Sequence, residues 1–303
     1  MTDRTENRLL HGVFVGLSTL DVLQLVDRVP TADDKVRALA LSVAAGGPAA
    51  NAAVVFAALG GRATLVTRIG ADPVGTLVRA DLTNCGVRVV DAPGMSGVVT
   101  PVASILVTRG TGERAVVSAV DQAGSRRPEP PGGDPADLAG VDVVLVDSYE
   151  RDVSGPLARR ARALGIPVLL DCGEKKEFTE SQLPDIDIAV VAEGYVPGGP
   201  AAIAADLRRH GVPYGVSTAG GEALSFYTPV AEAVRTQQVP QVRVVDTLGA
   251  GDFFHGALAY AVGREGLSER EFPAELAFAA DIASRSVQEF GSRSWLRGLR
   301  GRR

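Results

Sequence analysis

The residues best placed to do chemistry lie in Val244–Val262, VVDTLGAGDFFHGALAYAV. The stretch reads as a short strand end at Val244-Val245, a glycine turn, and a helix with apolar residues at Phe253, Ala257, Leu258 and Ala261. Gly249, Ala250 and Gly251 would leave backbone N–H groups bare at that helix start, which is a ready anion site. Asp252 stands at its mouth. A carboxylate there raises the cost of holding an anion, so its presence fits a group that takes a proton from a nucleophile attacking a bound phosphate. The same residues also fit an ordinary glycine-led helix start with an acid in its first turn. Two neighbouring motifs fail. The third glycine of G-x-G-x-x-G is replaced by Phe254, and no Gly-Lys-Ser/Thr run occurs.

A second constellation lies near the N-terminus. Gly46-Gly47 precedes the apolar run Ala49–Leu59, with Pro48 suited to a first helical turn. The glycines allow the backbone to approach a small ligand, and the Asn51 amide can both donate and accept. Asp21 follows a short apolar strand at Val13–Val15. The three histidines, His11, His210 and His255, are scattered, which argues against a hydrolytic triad or a zinc site.

These residues need a scaffold, and the hydrophobic pattern supplies one. Apolar runs at Ala63–Thr67, Val141–Val146, Pro167–Leu170, Asp187–Val191 and Val212–Ser217 alternate with helical segments at Thr76–Leu82, Ser154–Leu164 and Pro200–His210. A further helix is expected at Leu276–Val287. Repeated strand–helix units predict an α/β fold: a doubly wound, mostly parallel sheet flanked by helices. Val98–Val107 and Arg114–Val120 flank Gly110-Thr111-Gly112 and read as a β-hairpin. Asp121–Gly140 reads as a surface connection inside a single domain.

Composition sets the outer bounds. The 303 residues suffice for one large core, with 46% hydrophobic and 22% charged residues. A net charge of −5 argues against nucleic acid as the main partner. Cys85 and Cys172 offer neither a disulfide framework nor metal spacing. The opening MTDRTENRLL does not read as a secretory signal, and no apolar run approaches a membrane span, so a cytoplasmic protein is expected. Gly291–Arg303 carries five arginines and no acid, and reads as a frayed, solvated terminus rather than a nucleic-acid arm.

Asp246-Thr247-Leu248-Gly249-Ala250-Gly251-Asp252 resembles the C-terminal signature of the ribokinase-like (phosphofructokinase-B type) carbohydrate kinases. Gly46 through Ala53, Arg68 through Gly75, and Gly16 through Asp21 resemble the N-terminal signatures of that family, in the same order. The likeness runs from about Val13 to about Trp295, and looks closest to the ketohexokinase/fructokinase-like members. It implies a ribokinase-like fold over 1–303 with a small β-sheet lid from about 17–45 and 95–120. It implies an ATP-dependent kinase for a ketose or related small sugar, with magnesium, and a homodimer formed through the lid. Asp252 would be the catalytic base beside Gly249, Ala250 and Gly251. Asp21, Asp33, Gly46, Gly47, Asn51, Asp147 and Arg114 would face the substrate; Lys175, Thr218, Gly220, Gly221 and Thr247 would face the nucleotide. Two departures bear on this. Pro48 stands where ketohexokinases carry another asparagine, and Ala192-Glu193-Gly194-Tyr195 replaces the Asn-x-x-Glu that many members use toward magnesium, so no metal ligand is assigned. A nucleoside kinase of the same fold, or a non-catalytic sugar-binding relative, would share most of these features.

Overall fold

The computed structural model describes residues 8–119, 136–173, 175, 179–231 and 233–300. Most of the expected surface connection (121–135), Val120 at the end of the expected hairpin, the charged neighbours of Lys175, and the last three residues lie outside that description.

The strands are β1 His11–Val15, β2 Thr19–Val26, β3 Ala40–Gly46, β4 Arg62–Thr67, β5 Val87–Asp91, β6 Val102–Thr108, β7 Arg114–Ser118, β8 Val143–Asp147, β9 Val168–Cys172, β10 Ile188–Ala192, β11 Tyr214–Thr218, β12 Leu224–Tyr227 and β13 Arg235–Gln237. Nine of them form the main sheet, in the order β13-β12-β11-β10-β9-β8-β1-β4-β5. All neighbours are parallel except β11–β12 and β12–β13, which close one edge antiparallel. A parallel strand covered on both faces reads as a continuous apolar run, as Val143–Asp147 does.

Side chains alternate across the sheet. Phe14, Leu145 and Leu169 point into one core, with Phe56 from the helix Pro48–Ala58 and Phe253 from the helix Ala250–Glu265. Val13, Val15, Val144 and Val146 point into the other, beneath the helices Arg151–Ala163 and Gly199–Arg209. Phe14 and Phe56 meet edge to face at 5.3 Å and are fully buried, each contributing about 2–3 kcal/mol of hydrophobic stabilisation.

Four strands from the expected lid segments form a separate sheet, ordered β3-β2-β6-β7. Its inner face carries Leu23, Ala103, Ile105 and Val107, packed against Leu248 and Phe290. Its outer face places Val43, Val22, Ser104 and Val117 on one row. Val117 is 76% exposed there, and Leu41 65%.

Two expectations need correction. Val244-Val245 is not a strand. The main sheet has no place for it, and the N–H groups of Val245 and Asp246 donate instead to the Val287 carbonyl, at 2.7 and 3.2 Å. The C-terminal segment is not a frayed terminus either. Trp295 and Leu296 are buried, and the Trp295 ring lies 4.9 Å from that of Phe253. Two large apolar side chains outweigh the arginines around them.

Candidate active site

The glycine turn does what its residues allow. Gly249 adopts a left-handed φ of 73°, and the helix Ala250–Glu265 begins there with no side chain capping its N–H groups. Gly251 is exposed, with open space where a side chain would stand. The turn is anchored from below by Asp246. Its buried carboxylate accepts from Leu248 N at 2.9 Å and from Gly291 N at 3.0 Å.

Asp252, half-buried, accepts a hydrogen bond from Asn51 Nδ2 at 2.8 Å. These residues are 201 positions apart in sequence. Burial pushes the Asp252 carboxyl up to about 7, and the Asp171 charge adds to the shift; Asn51 and His255 pull against it. That lies above the ordinary carboxylate range and near neutrality.

Around Asn51 the packing is close. Asp21 is buried and accepts from Thr19 Oγ1 at 2.6 Å. Burial raises its pKa, while Thr19 and the Arg293 charge lower it. Gly46 has no room for a side chain, since a Cβ would stand 2.0 Å from the Asp21 carboxylate. Gly47 has φ 100°, and a Cβ there would meet the Leu17 carbonyl oxygen at 2.2 Å. Asp21, Gly46, Gly47, Asn51 and Asp252 thus belong to one packed region.

Other expected residues sit differently. Asp147 is buried at the C-terminal end of β8, where backbone N–H groups of Leu17, Tyr149 and Ala49 donate to it at 2.9, 2.9 and 3.3 Å. It staples strand ends and a helix start together, and burial raises its carboxyl to about 7. Asp33 is exposed on a turn, with φ 60°. Arg114 donates to the Thr247 carbonyl and Oγ1 at 3.1 and 2.9 Å, joining the small sheet to the glycine turn. Lys175 pairs with Glu180 at 2.8 Å and Asp206 at 3.0 Å. Thr218 ends β11 and donates to the Val191 carbonyl at 3.3 Å. Gly220 and Gly221 are exposed in open space. Among the described residues, no group of three His, Cys, Asp or Glu side chains is placed to hold a metal ion.

Three residues escaped the sequence reading. His255 Nδ1 lies 2.6 Å from the Gly251 carbonyl oxygen and 3.3 Å from Asp171 Oδ2. Burial lowers its pKa while the Gly251 carbonyl and the Asp252 charge raise it, and Nδ1 donates to that carbonyl. The Asp252/His255 spacing of three on a helix carried a signal for it. Asp171 was visible as a strand-end acid of the same kind as Asp147, beside which it pairs in register. Arg293 had no local signal at all. Its guanidinium donates to Asn51 Oδ1 from a segment 242 positions away.

A doubly wound sheet, a second small sheet lying on its glycine turn, and an acid at an uncapped helix start fit a phosphotransferase. A model of the pfkB family carbohydrate kinases matches residues 11–194 and 195–297, and the chain belongs to that family. It is accordingly a carbohydrate kinase of the ribokinase type, acting on a sugar hydroxyl. It is 27% identical to a ribokinase of Arabidopsis thaliana over 296 residues, covering 92% of this chain and 76% of the relative. It is 24% identical to a ketohexokinase of Mus musculus, covering 82% and 88%. Among solved structures, the Arabidopsis thaliana ribokinase complexed with ribose and ATP superposes with a TM-score of 0.73 at 25% identity, covering 96% of this chain and 99% of that one. No helix among the described residues is long and apolar enough to cross a membrane.

Proposed function

We propose that this chain transfers the terminal phosphoryl group of ATP to a hydroxyl of a ketose or a related small sugar of ribose size. The observation that carries this reading is the Asp252 carboxylate, held by Asn51 at 2.8 Å beside an uncapped helix start. The sugar would lie against Asp21, Gly47 and Asn51. Its hydroxyl oxygen attacks the terminal phosphorus, the bond to the bridging oxygen breaks, ADP leaves, and the hydroxyl proton passes to Asp252. The amides of Gly249 and Gly251 and the helix dipole favour the charge that builds on the moving group, whereas the Ala250 N–H donates to the Thr247 carbonyl at 3.4 Å. Open space at Gly220, Gly221 and Gly251 suits a phosphate-bearing nucleotide, as do Thr218 and Thr247 at their edges. Lys175 would have to exchange its carboxylate partners to reach it. Magnesium would come with the nucleotide, held chiefly by its phosphates.

The acceptor's size draws support from two sides. The Arabidopsis thaliana relative is a ribokinase, and the missing Asn-x-x-Glu, which ketohexokinases also lack, speaks for the ketose branch. The small sheet's exposed outer row at Val43 and Val117 suits pairing with a second copy of the chain, which sedimentation velocity measures. A cytoplasmic setting is consistent with the ATP requirement. ATP consumption over a panel of ribose, ketohexoses and nucleosides tests the proposal. Turnover with one of the sugars supports it. Turnover with nucleosides alone, or with nothing in the panel, rejects it.

A further inference from the structure

Arg293 is the meeting point of four parts of the chain. Its Nε donates to Asp81 Oδ2 at 3.1 Å on the helix Pro73–Asn84, and its Nη2 forms an ion pair with the same oxygen at 3.1 Å. Nη2 also donates to the Ala45 carbonyl of β3 at 2.7 Å, and Nη1 to Asn51 Oδ1 at 3.2 Å. Its side chain is 17% exposed. Asp81 Oδ2 in turn accepts from Ala45 N at 3.0 Å. A planar guanidinium spans such a set of acceptors; a lysine ammonium, a single point donor, does not.

The chemistry of the amide makes this arrangement consequential. Asn51 is buried between two partners of opposite kind. An arginine only donates, so the amide oxygen must face Arg293. An ionised carboxylate only accepts, so the amide nitrogen must face Asp252. The guanidinium therefore excludes the flipped amide, in which the Asn51 oxygen would face the Asp252 carboxylate.

We propose that Arg293 is a positioning residue for phosphoryl transfer: it fixes the orientation of the Asn51 amide, and through it the carboxylate of Asp252. This rests on Asp252 being the base. The groups facing Asp252 are Asn51 from the helix Pro48–Ala58, Asp171 from β9, Asp21 from β2, and His255 from its own helix. Asn51 and His255 hold the carboxyl down, whereas Asp171 and Asp21 push it up. Loosening the Asn51 bond removes one of the two restraining influences.

The test is the pH profile of kcat/KM in Arg293→Gln and Arg293→Lys, with the turnover of Asp252→Asn measured alongside. In both Arg293 variants the acidic limb should move up by about one pH unit. Turnover at pH 8 should fall about 10- to 100-fold, and KM for ATP should stay near that of the parent. Arg293→Lys retains the charge beside Asp81, so it keeps the fold should Arg293→Gln lose it, and must show the same displaced limb. A parental pH profile in folded Arg293→Lys overturns the inference. If Asp252→Asn is inactive in that case, the base assignment survives and only the positioning role fails. An active Asp252→Asn removes the base, and the inference with it.

Discussion

Gly46-Gly47 and Gly220-Gly221 both stand at strand ends, and their surroundings differ. At the first pair, a Cβ would meet the Asp21 carboxylate at 2.0 Å or the Leu17 carbonyl at 2.2 Å. At the second pair, a Cβ would meet nothing within 4 Å. The first pair is glycine because other atoms already fill the space. The second is glycine beside space left open. In the proposed site the first pair would form a wall built before any ligand arrives, and the second would line a wall left open to the nucleotide. A wall fixed in advance holds an acceptor in reacting geometry without spending binding energy on ordering the protein. Arg293 extends the same tight packing, joining Asp81, Ala45 and Asn51 behind the first wall.

The comparison can be broken at several points. The largest effect is expected at Asp252, which the tight wall holds through Asn51. Asp252→Asn should lower kcat about 1,000-fold, or about 4 kcal/mol, and leave KM for ATP near the parental value. Steady-state kinetics at pH 8 measure both. Gly47→Ala comes next. Left-handed backbone and a 2.2 Å approach should cost about 2–4 kcal/mol of stability in urea unfolding. A variant as stable as the parent would show that this wall yields.

A smaller effect follows from pH. Asp252 must be ionised to take a proton, and burial holds its carboxyl at about 7. Below that pH, kcat/KM should fall about tenfold per unit. An acidic limb in the ordinary carboxylate range would mean that water reaches the carboxyl freely. The sign for stability is opposite. The folded pKa lies above the unfolded one, so this group's contribution to stability is complete below the ordinary carboxylate range and is lost as pH rises through about 7. The smallest effect is expected at Gly221→Ala on the open wall: less than about 0.5 kcal/mol in urea unfolding. A loss as large as that of Gly47→Ala would erase the distinction between the walls.

The parts of the site legible in the sequence are those set by neighbours along the chain. Gly249 and Gly251 announce a tight turn, and Asp252 an acid at its mouth, because backbone conformation and helix polarity act over a few residues. The same locality misled at Val244-Val245. Their β preference is real, yet a strand needs an edge to pair with, and these N–H groups found the Val287 carbonyl instead. It misled again at the C-terminal segment, where arginines dominate the composition but Trp295 finds the Phe253 ring.

By itself, the sequence determined the alternating strands and helices, the two glycine-led helix starts, and the kind of chemistry Asp252 can do. Periodicity and turn preference are written residue by residue. Only the tertiary structure decided that Asn51 would hold Asp252, that Arg293 would hold Asn51, and that Asp147 would bind backbone. Apart from Asp147's bond to Tyr149, two residues on, those bonds span from 98 to 242 positions. A hydrogen bond depends on approach within about 3 Å, and two segments so far apart in the chain are brought that close by the packing of the whole sheet.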